Sequence, residues 1–145
     1  AAQKLAEDNG IKNMVSICAP CELALPKIVK EVEKNKKTLL VLDPPRKGVD
    51  LRVLTAVLQA KPQKIVYVSC SPNTLARDVG VLIGTLKIEE GKIVNSPEIE
   101  NCDITQVPNH DSKPSGTYEI THVYAYDMFA QTSNIETLVV LSLKH

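Results

Sequence analysis

Length, composition and charge limit the class of protein that this chain belongs to. Its 145 residues suit one domain with a sizeable core, and 17 basic residues balance 17 acidic ones, so the strongly basic surface of a stand-alone nucleic-acid binder is absent. No apolar run approaches the roughly 20 residues of a membrane helix, the first ten residues lack a signal-peptide pattern, and four unevenly spaced cysteines do not form a secreted disulfide framework. We therefore expect a cytoplasmic protein with no membrane partner.

Hydrophobic periodicity and turn residues predict alternating helices and strands. Helices are predicted up to Asn9–Gly10 and over 22–36, 50–59 and 74–86, and strands over 14–18, 38–43, 64–70, 119–129 and 135–144. The strands at 38–43 and 64–70 are continuously apolar, which is typical of strands buried on both faces of a parallel sheet. The polar residues 89–117 predict a long loop or small hairpin. We expect one three-layer α/β domain over 1–145, with a mostly parallel sheet and a C-terminal antiparallel hairpin.

The first of these apolar strands runs into the sequence DPPRKG at 43–48. Ligands of open α/β sheets bind beyond the carboxyl ends of the strands. Asp43 is therefore a candidate binding residue, and the alternative interpretation is a charged turn.

The second apolar strand runs into SCSPNTLARD, with Cys70 just before a helix that Asn73 or Thr74 would cap. A helix N-terminus favours an anion, and the thiolate is the nucleophilic form of cysteine. Cys70 is therefore a candidate nucleophile, and Arg77, one turn into the helix, adds positive charge. The alternative is a buried structural cysteine.

A third polar segment, DMFAQTSNIE at 127–136, separates the two last strands. Glu136 opens the final strand, where a carboxylate is suited to act as a general base. The alternative is an exposed glutamate at a strand edge.

Taken in this order, DPPRKG, YVSCSPNTLARD and DMFAQTSNIE resemble the RNA uridine-C5 methyltransferase family. The resemblance covers most of the chain from Asn9 onward, except for about 89–117. The segment DPPRKGVD is more similar to the ribosomal-RNA members of the family than to the transfer-RNA members. The resemblance implies an incomplete class I, Rossmann-like fold that uses S-adenosyl-L-methionine (SAM), and RNA as the substrate.

The resemblance also implies the roles of individual residues. Cys70 takes the place of the cysteine that adds to uracil C6, and Glu136 that of the base that removes the C5 proton. Asp43 takes the place of an aspartate near the target base and the cofactor methyl group, and Arg77 is expected on the substrate side of the site. No metal ion is implied.

Several positions depart from the family pattern. The glycine-rich cofactor loop has no counterpart in the chain, and Pro20 stands where an acidic residue contacts adenine. Ala130 and Asn134 replace a proline and a histidine, and Ser71 replaces an asparagine. We therefore expect this chain alone to bind SAM weakly or not at all and to be inactive by itself. An exposed sheet edge would favour a homodimer or a swapped assembly.

Two other functions are compatible with the sequence. Cys18 and Cys21 form a C-x-x-C motif between a predicted strand and a helix, as in thioredoxin-like redox proteins. A metal half-site is less supported, because no second pair with ligand spacing follows. The chain would otherwise be a non-catalytic remnant that binds a partner.

Overall fold

The computed structural model describes residues 1–31, 37–96, 116–128, 131–132 and 135–144. Its helices are α1 (Ala2–Asp8), α2 (Cys21–Glu31), α3 (Leu51–Ala60) and α4 (Pro72–Ile83). Its strands are β1 (Leu39–Leu42), β2 (Lys64–Ser69), β3 (Leu86–Glu89), β4 (Lys92–Asn95), β5 (Tyr118–Tyr126) and β6 (Glu136–Leu143).

Four of the strands form one sheet in the order β1-β2-β6-β5, and β3 and β4 form a separate hairpin. β1 and β2 run parallel, whereas β6 is antiparallel to both β2 and β5. The α/β architecture and the antiparallel pairing of the last two strands match the sequence prediction. The sheet is mixed, so the predicted parallel arrangement holds only for β1 and β2, because β6 inserts between β2 and β5 in the opposite direction.

One face of this sheet, called here the helical face, carries the core. Alternate residues of β2 and β6 are almost fully buried there, and they pack with apolar residues of α3 and α4: Ile65, Tyr67, Val139, Leu141, Leu54, Val57, Val79 and Leu82. Burying this apolar surface contributes about 25 cal/mol per Å². The helices α3 and α4 therefore fix the position of the two central strands.

The opposite face, called here the open face, consists of the other residues of the same strands. Leu39 and Val41 of β1 are 59% and 61% exposed, and β5 adds the rings of His122, Tyr124 and Tyr126. Adjacent rings of this row have centroids 5.8 Å and 6.3 Å apart. The prediction that 38–43 is buried on both faces is therefore wrong, because no second helical layer covers β1 within the described residues.

Other boundaries also differ from the prediction. Residues 14–18 lie in no strand, and the predicted helix at 22–36 is described only as far as Glu31. The polar stretch 89–117 includes β4, the second strand of the small hairpin, while 97–115 lies outside the described residues. α4 begins earlier than expected, with Ser71 rather than Asn73 or Thr74 as its N-cap, because proline suits the first helical position and favours an extended residue before it.

Candidate active site

The carboxyl ends of β1 and β2 lie at the same edge of the sheet, because the two strands are parallel. The register pairs Leu42 with Tyr67, so the next residue, Asp43, comes level with Val68. Asp43 is exposed. The alternation of side chains along a strand, continued by one residue, assigns Asp43 to the open face.

β6 begins at this same edge, because it runs antiparallel to β2. The last pair of the ladder joins Ser69 to Thr137, and one further step of the register sets Cys70 opposite Glu136. Facing residues of an antiparallel pair have Cα atoms about 5 Å apart. Both residues are half-buried. The topology thus brings Asp43, Cys70 and Glu136 to one edge of one sheet. In the chain, the first and the last of them are 93 positions apart.

Two side chains of α4 form hydrogen bonds with the backbone of the loop at 43–50. Thr74 Oγ1 lies 3.0 Å from the carbonyl oxygen of Arg46 and 3.3 Å from that of Ser71, so its single proton is shared between the two acceptors. Arg77 Nη2 donates to the carbonyl oxygens of Lys47 and Val49, both at 3.2 Å. Two side chains one turn apart on the helix therefore satisfy three carbonyl groups of a loop that has no regular secondary structure.

The third member of this helix face is Asp78, which is fully buried. Its carboxylate accepts hydrogen bonds from the hydroxyl of Tyr67 at 2.6 Å, the backbone N–H of Val49 at 2.8 Å and Arg77 Nε at 2.7 Å. Arg77 Nη2 lies 2.6 Å from the same carboxylate. Burial raises the pKa of the Tyr67 phenol above its ordinary value, and its hydrogen bond to Asp78 raises that pKa further. Asp78 therefore joins β2, α4 and the loop at one buried point, called here the Asp78 junction.

Gly48 belongs to the 43–50 loop and lies directly against this junction. Its φ of +78° falls in the left-handed region, and a Cβ atom there would come within 2.6 Å of Arg77 Nη2 and 2.7 Å of Asp78 Oδ2. Glycine is required at this position for two reasons, since any other residue would be strained in its backbone and would also displace buried charged groups.

The loop leads directly into α3, whose first turn is capped by Asp50. The Asp50 carboxylate accepts from Arg52 N at 2.9 Å and from Arg52 Nε at 3.0 Å. These side-chain and backbone hydrogen bonds lower the pKa of Asp50 to about 2. Arg52 also lies 3.8 Å from Glu22, which connects α3 to the first turn of α2.

The predicted site residues are thus placed in two groups. Asp43, Cys70 and Glu136 lie together on the open face. Arg77 lies on the helical side, where Asp78 and backbone carbonyls engage its guanidinium group, and its role toward substrate stays a prediction. The sequence analysis missed Asp78; an aspartate among the apolar core positions of a helix, directly after an arginine, was the available signal.

The C-x-x-C motif lies at the start of α2. Cys18 and Cys21 are both exposed and free, and Cys21 is the first residue of the helix. Their proposed role in thiol–disulfide exchange stays a prediction. Ala130 and Asn134, two of the departures from the family pattern, lie outside the described residues. Within the described ranges, no helix is both long enough and apolar enough to span a membrane.

Comparison with known proteins identifies the family. A family model described as tRNA (uracil-5-)-methyltransferase matches residues 27–96, which include β1, the 43–50 loop, Cys70 and the Asp78 junction. Residues 27–96 are therefore similar to the tRNA (uracil-5-)-methyltransferase family. The match includes the first two of the three sequence motifs and confirms the family resemblance that they indicated.

Relatives of the whole chain are named as uncharacterized RNA methyltransferases. One from Thermosynechococcus vestitus is 35% identical over 94% of this chain, and one from Listeria monocytogenes is 32% identical over 99%. The chain spans only about a quarter of their length, 23% and 24%. The structure of a Pyrococcus abyssi tRNA (uracil-54, C5)-methyltransferase in complex with S-adenosyl-L-homocysteine shares the fold, with a TM-score of 0.56 and 24% identity over 97% of this chain and 25% of that one.

Proposed function

We propose that this chain carries the reacting groups of an enzyme that transfers a methyl group from SAM to C5 of uridine in RNA. The observation that supports this most directly is the strand register. Continued by one residue beyond each ladder, it brings Cys70 level with Glu136 and Asp43 level with Val68 at the same edge. A nucleophile and a base held side by side on rigid strands are the two groups that this reaction requires.

SAM is the proposed cofactor, since the Pyrococcus abyssi protein was solved with S-adenosyl-L-homocysteine. The exposed carboxylate of Asp43 fits this assignment, because a negative charge at the strand end attracts a sulfonium cation. When bound, SAM supplies the electrophilic methyl group. Asp43 is the one cofactor-binding residue that we propose within the described residues. We therefore propose that the chain alone binds SAM weakly or not at all.

Cys70 is the proposed nucleophile. Uracil C5 is a poor nucleophile, and addition of the Cys70 thiolate to C6 moves the 5,6 double-bond electrons toward the C4 carbonyl, leaving C5 as an enolate carbon that accepts the methyl group. Cys70 lies between the end of β2 and Ser71, the N-cap residue of α4. Covalent catalysis thus replaces one difficult step by two easier ones.

Glu136 is the proposed base. After methylation, C5 still carries its original proton, and the Glu136 carboxylate removes it. The electrons of the C5–H bond re-form the 5,6 double bond, the C6–S bond breaks and Cys70 leaves as a thiolate. The target base must first leave its stack in the RNA to reach this edge of the sheet.

We propose ribosomal RNA ahead of transfer RNA as the substrate, on the basis of the DPPRKGVD segment at 43–50. The matched family model and the Pyrococcus abyssi protein are both named for transfer RNA, so the two substrates need direct comparison. Incorporation of labelled methyl groups into unmodified ribosomal and transfer RNA, supplied at equal concentration, measures the preference. Faster labelling of transfer RNA would reverse the assignment.

The test of the chemistry is a trapped adduct. A fluorine at C5 cannot be removed as a proton, so RNA that contains 5-fluorouridine should remain bound through Cys70 in the presence of SAM. Intact mass spectrometry detects the complex. Cys70→Ala should abolish it, whereas Cys18→Ala, which removes an exposed cysteine outside the site, should leave it unchanged.

The same experiment is run in two settings, because the chain covers about a quarter of its relatives. One uses this chain alone, for which we expect no adduct. The other uses the Thermosynechococcus vestitus relative in which this chain replaces the matching segment, 35% identical to it. An adduct in the folded chimera that depends on Cys70 supports the proposal. A folded chimera without adduct favours the non-catalytic alternative.

We also propose that the chain alone forms a homodimer or swapped assembly in the cytoplasm. β1 and β5 are the edge strands of the described sheet, and β1 exposes Leu39 and Val41 beside its unpaired backbone. Such edges favour pairing with a second copy. Sedimentation at increasing protein concentration is the measurement, and a monomer at the highest concentration would contradict the dimer. Cell fractionation tests the compartment.

A further inference from the structure

The Asp78 junction consists of hydrogen bonds and an ion pair at a place where apolar side chains would also fill the core. A fully buried carboxylate receives hydrogen bonds from three separate parts of the chain: the hydroxyl of Tyr67 on β2, the N–H of Val49 in the loop and the guanidinium group of Arg77 on α4. Burying a charge is costly, and an apolar residue of similar volume often stabilises a core as well as a buried ion pair does. What such a junction adds is a defined geometry between the segments that it joins.

These segments are the ones that carry the reacting groups. Tyr67 lies on β2, three residues before Cys70, which directly follows that strand. Val49 lies six residues after Asp43 in the same loop. Thr74 adds a second connection, since its hydroxyl lies within hydrogen-bonding distance of the carbonyl oxygen of Arg46 in the loop and of that of Ser71, the N-cap residue that follows Cys70. Besides the β1–β2 ladder, the Asp78 carboxylate therefore gives a second link between the loop that follows Asp43 and the strand that precedes Cys70.

We propose that Asp78 is a positioning residue that sets the strand end bearing Asp43 against the strand end bearing Cys70. It acts through Tyr67 and Val49 and does not touch the substrate. The effect of Asp78 on catalysis rests on the function proposed above. Its effect on the distance between positions 43 and 70 does not, and is measured separately.

Two buried tyrosines provide a matched pair of variants. Tyr67 and Tyr118 are both fully buried, and each hydroxyl donates one hydrogen bond, to Asp78 at 2.6 Å and to the Pro62 carbonyl at 3.0 Å respectively. Tyr67→Phe and Tyr118→Phe each remove one oxygen atom from the core. Only the first removes a contact of the Asp78 junction, so a merely structural effect should be common to both variants.

The geometric experiment measures proximity between positions 43 and 70. Asp43 is replaced by cysteine in a chain whose Cys18, Cys21 and Cys102 are replaced by serine, and a short reagent that reacts with two thiols cross-links position 43 to Cys70. We expect Tyr67→Phe to slow cross-linking at least about fivefold and Tyr118→Phe to leave it unchanged. Asp78→Asn, if it folds as judged by circular dichroism, should slow it further. Equal rates in the two tyrosine variants would overturn the proposal.

The catalytic experiment uses the chimera and the 5-fluorouridine adduct. A positioning role predicts that Tyr67→Phe lowers the maximal rate of adduct formation at saturating RNA, while the RNA concentration that gives half the maximal rate stays the same. Tyr118→Phe should change neither quantity. A rise in the half-saturating concentration with an unchanged maximal rate would contradict the role. If the unmutated chimera forms no adduct, the proposed function fails, and the cross-linking rates still decide whether Asp78 positions the two strand ends.

Discussion

Replacement of Gly48 by alanine tests the contact between the 43–50 loop and the Asp78 junction. A residue with a side chain costs about 1–2 kcal/mol in a left-handed conformation such as the +78° of Gly48. The new methyl group would also approach Arg77 Nη2 within 2.6 Å and Asp78 Oδ2 within 2.7 Å. Both atoms are held by hydrogen bonds and cannot move freely, so overpacking adds about 1–3 kcal/mol. We expect the free energy of unfolding to fall by about 2–5 kcal/mol, a large part of the total for a small domain.

Gly91 is the matched control, because its φ of +75° is nearly the same and no atom lies within 4 Å of its hypothetical Cβ. Gly91→Ala should therefore cost only the backbone share, about 1–2 kcal/mol. Urea unfolding followed by circular dichroism gives both values, with the slope of the transition as a check that the unfolded states are comparable. Equal losses in the two variants would refute the argument that the junction occupies the space beside Gly48.

Two further predictions concern single carboxylates. Glu136→Gln in the chimera removes the proposed base, so a covalent complex with ordinary uridine RNA should accumulate and survive denaturing electrophoresis; normal turnover would exclude that role. The pKa of Asp50 falls from 3.8 to about 2 on folding, so its stabilising effect is complete above about pH 4 and disappears as the pH falls through about 2. The difference in unfolding free energy between wild type and Asp50→Asn should shrink over that range, and a constant difference from pH 6 to 2 would contradict the assignment.

Much of the local structure follows from patterns in the sequence. The spacing of Leu51, Leu54 and Leu58 predicts a helix over 50–59, and α3 runs over Leu51–Ala60, with Asp50 as its N-cap. The apolar run at 64–70 predicts β2 to within a residue. The common location of Asp43 and Cys70 was also predictable. Each residue follows a strand, and the carboxyl ends of parallel strands lie at the same edge of a sheet.

Other features depend on contacts that no local pattern records. Residues 14–18 have strand-like composition, but a strand needs neighbouring backbone to pair with, and the segment lies in no strand of the described sheet. The insertion of β6 between β2 and β5 is a long-range choice that sequence periodicity does not contain. A local pattern marks Asp78 itself, but its partners Tyr67, Val49 and Arg77 lie on a strand, a loop and a helix, and no local pattern joins them.

The position of β6 has a consequence for the order in which this sheet folds. In the described sheet, β5 is attached through β6 alone, so β5 cannot join β2 until a segment that follows it in the chain has taken the place between them. The most distant pair between β2 and β6 joins Lys64 to Ser142. Contacts this distant in sequence form slowly. During synthesis, β2 and α4 emerge well before β6, leaving one side of β2 open to mispairing until then. Deleting β6 would therefore remove two strands from the sheet, not one.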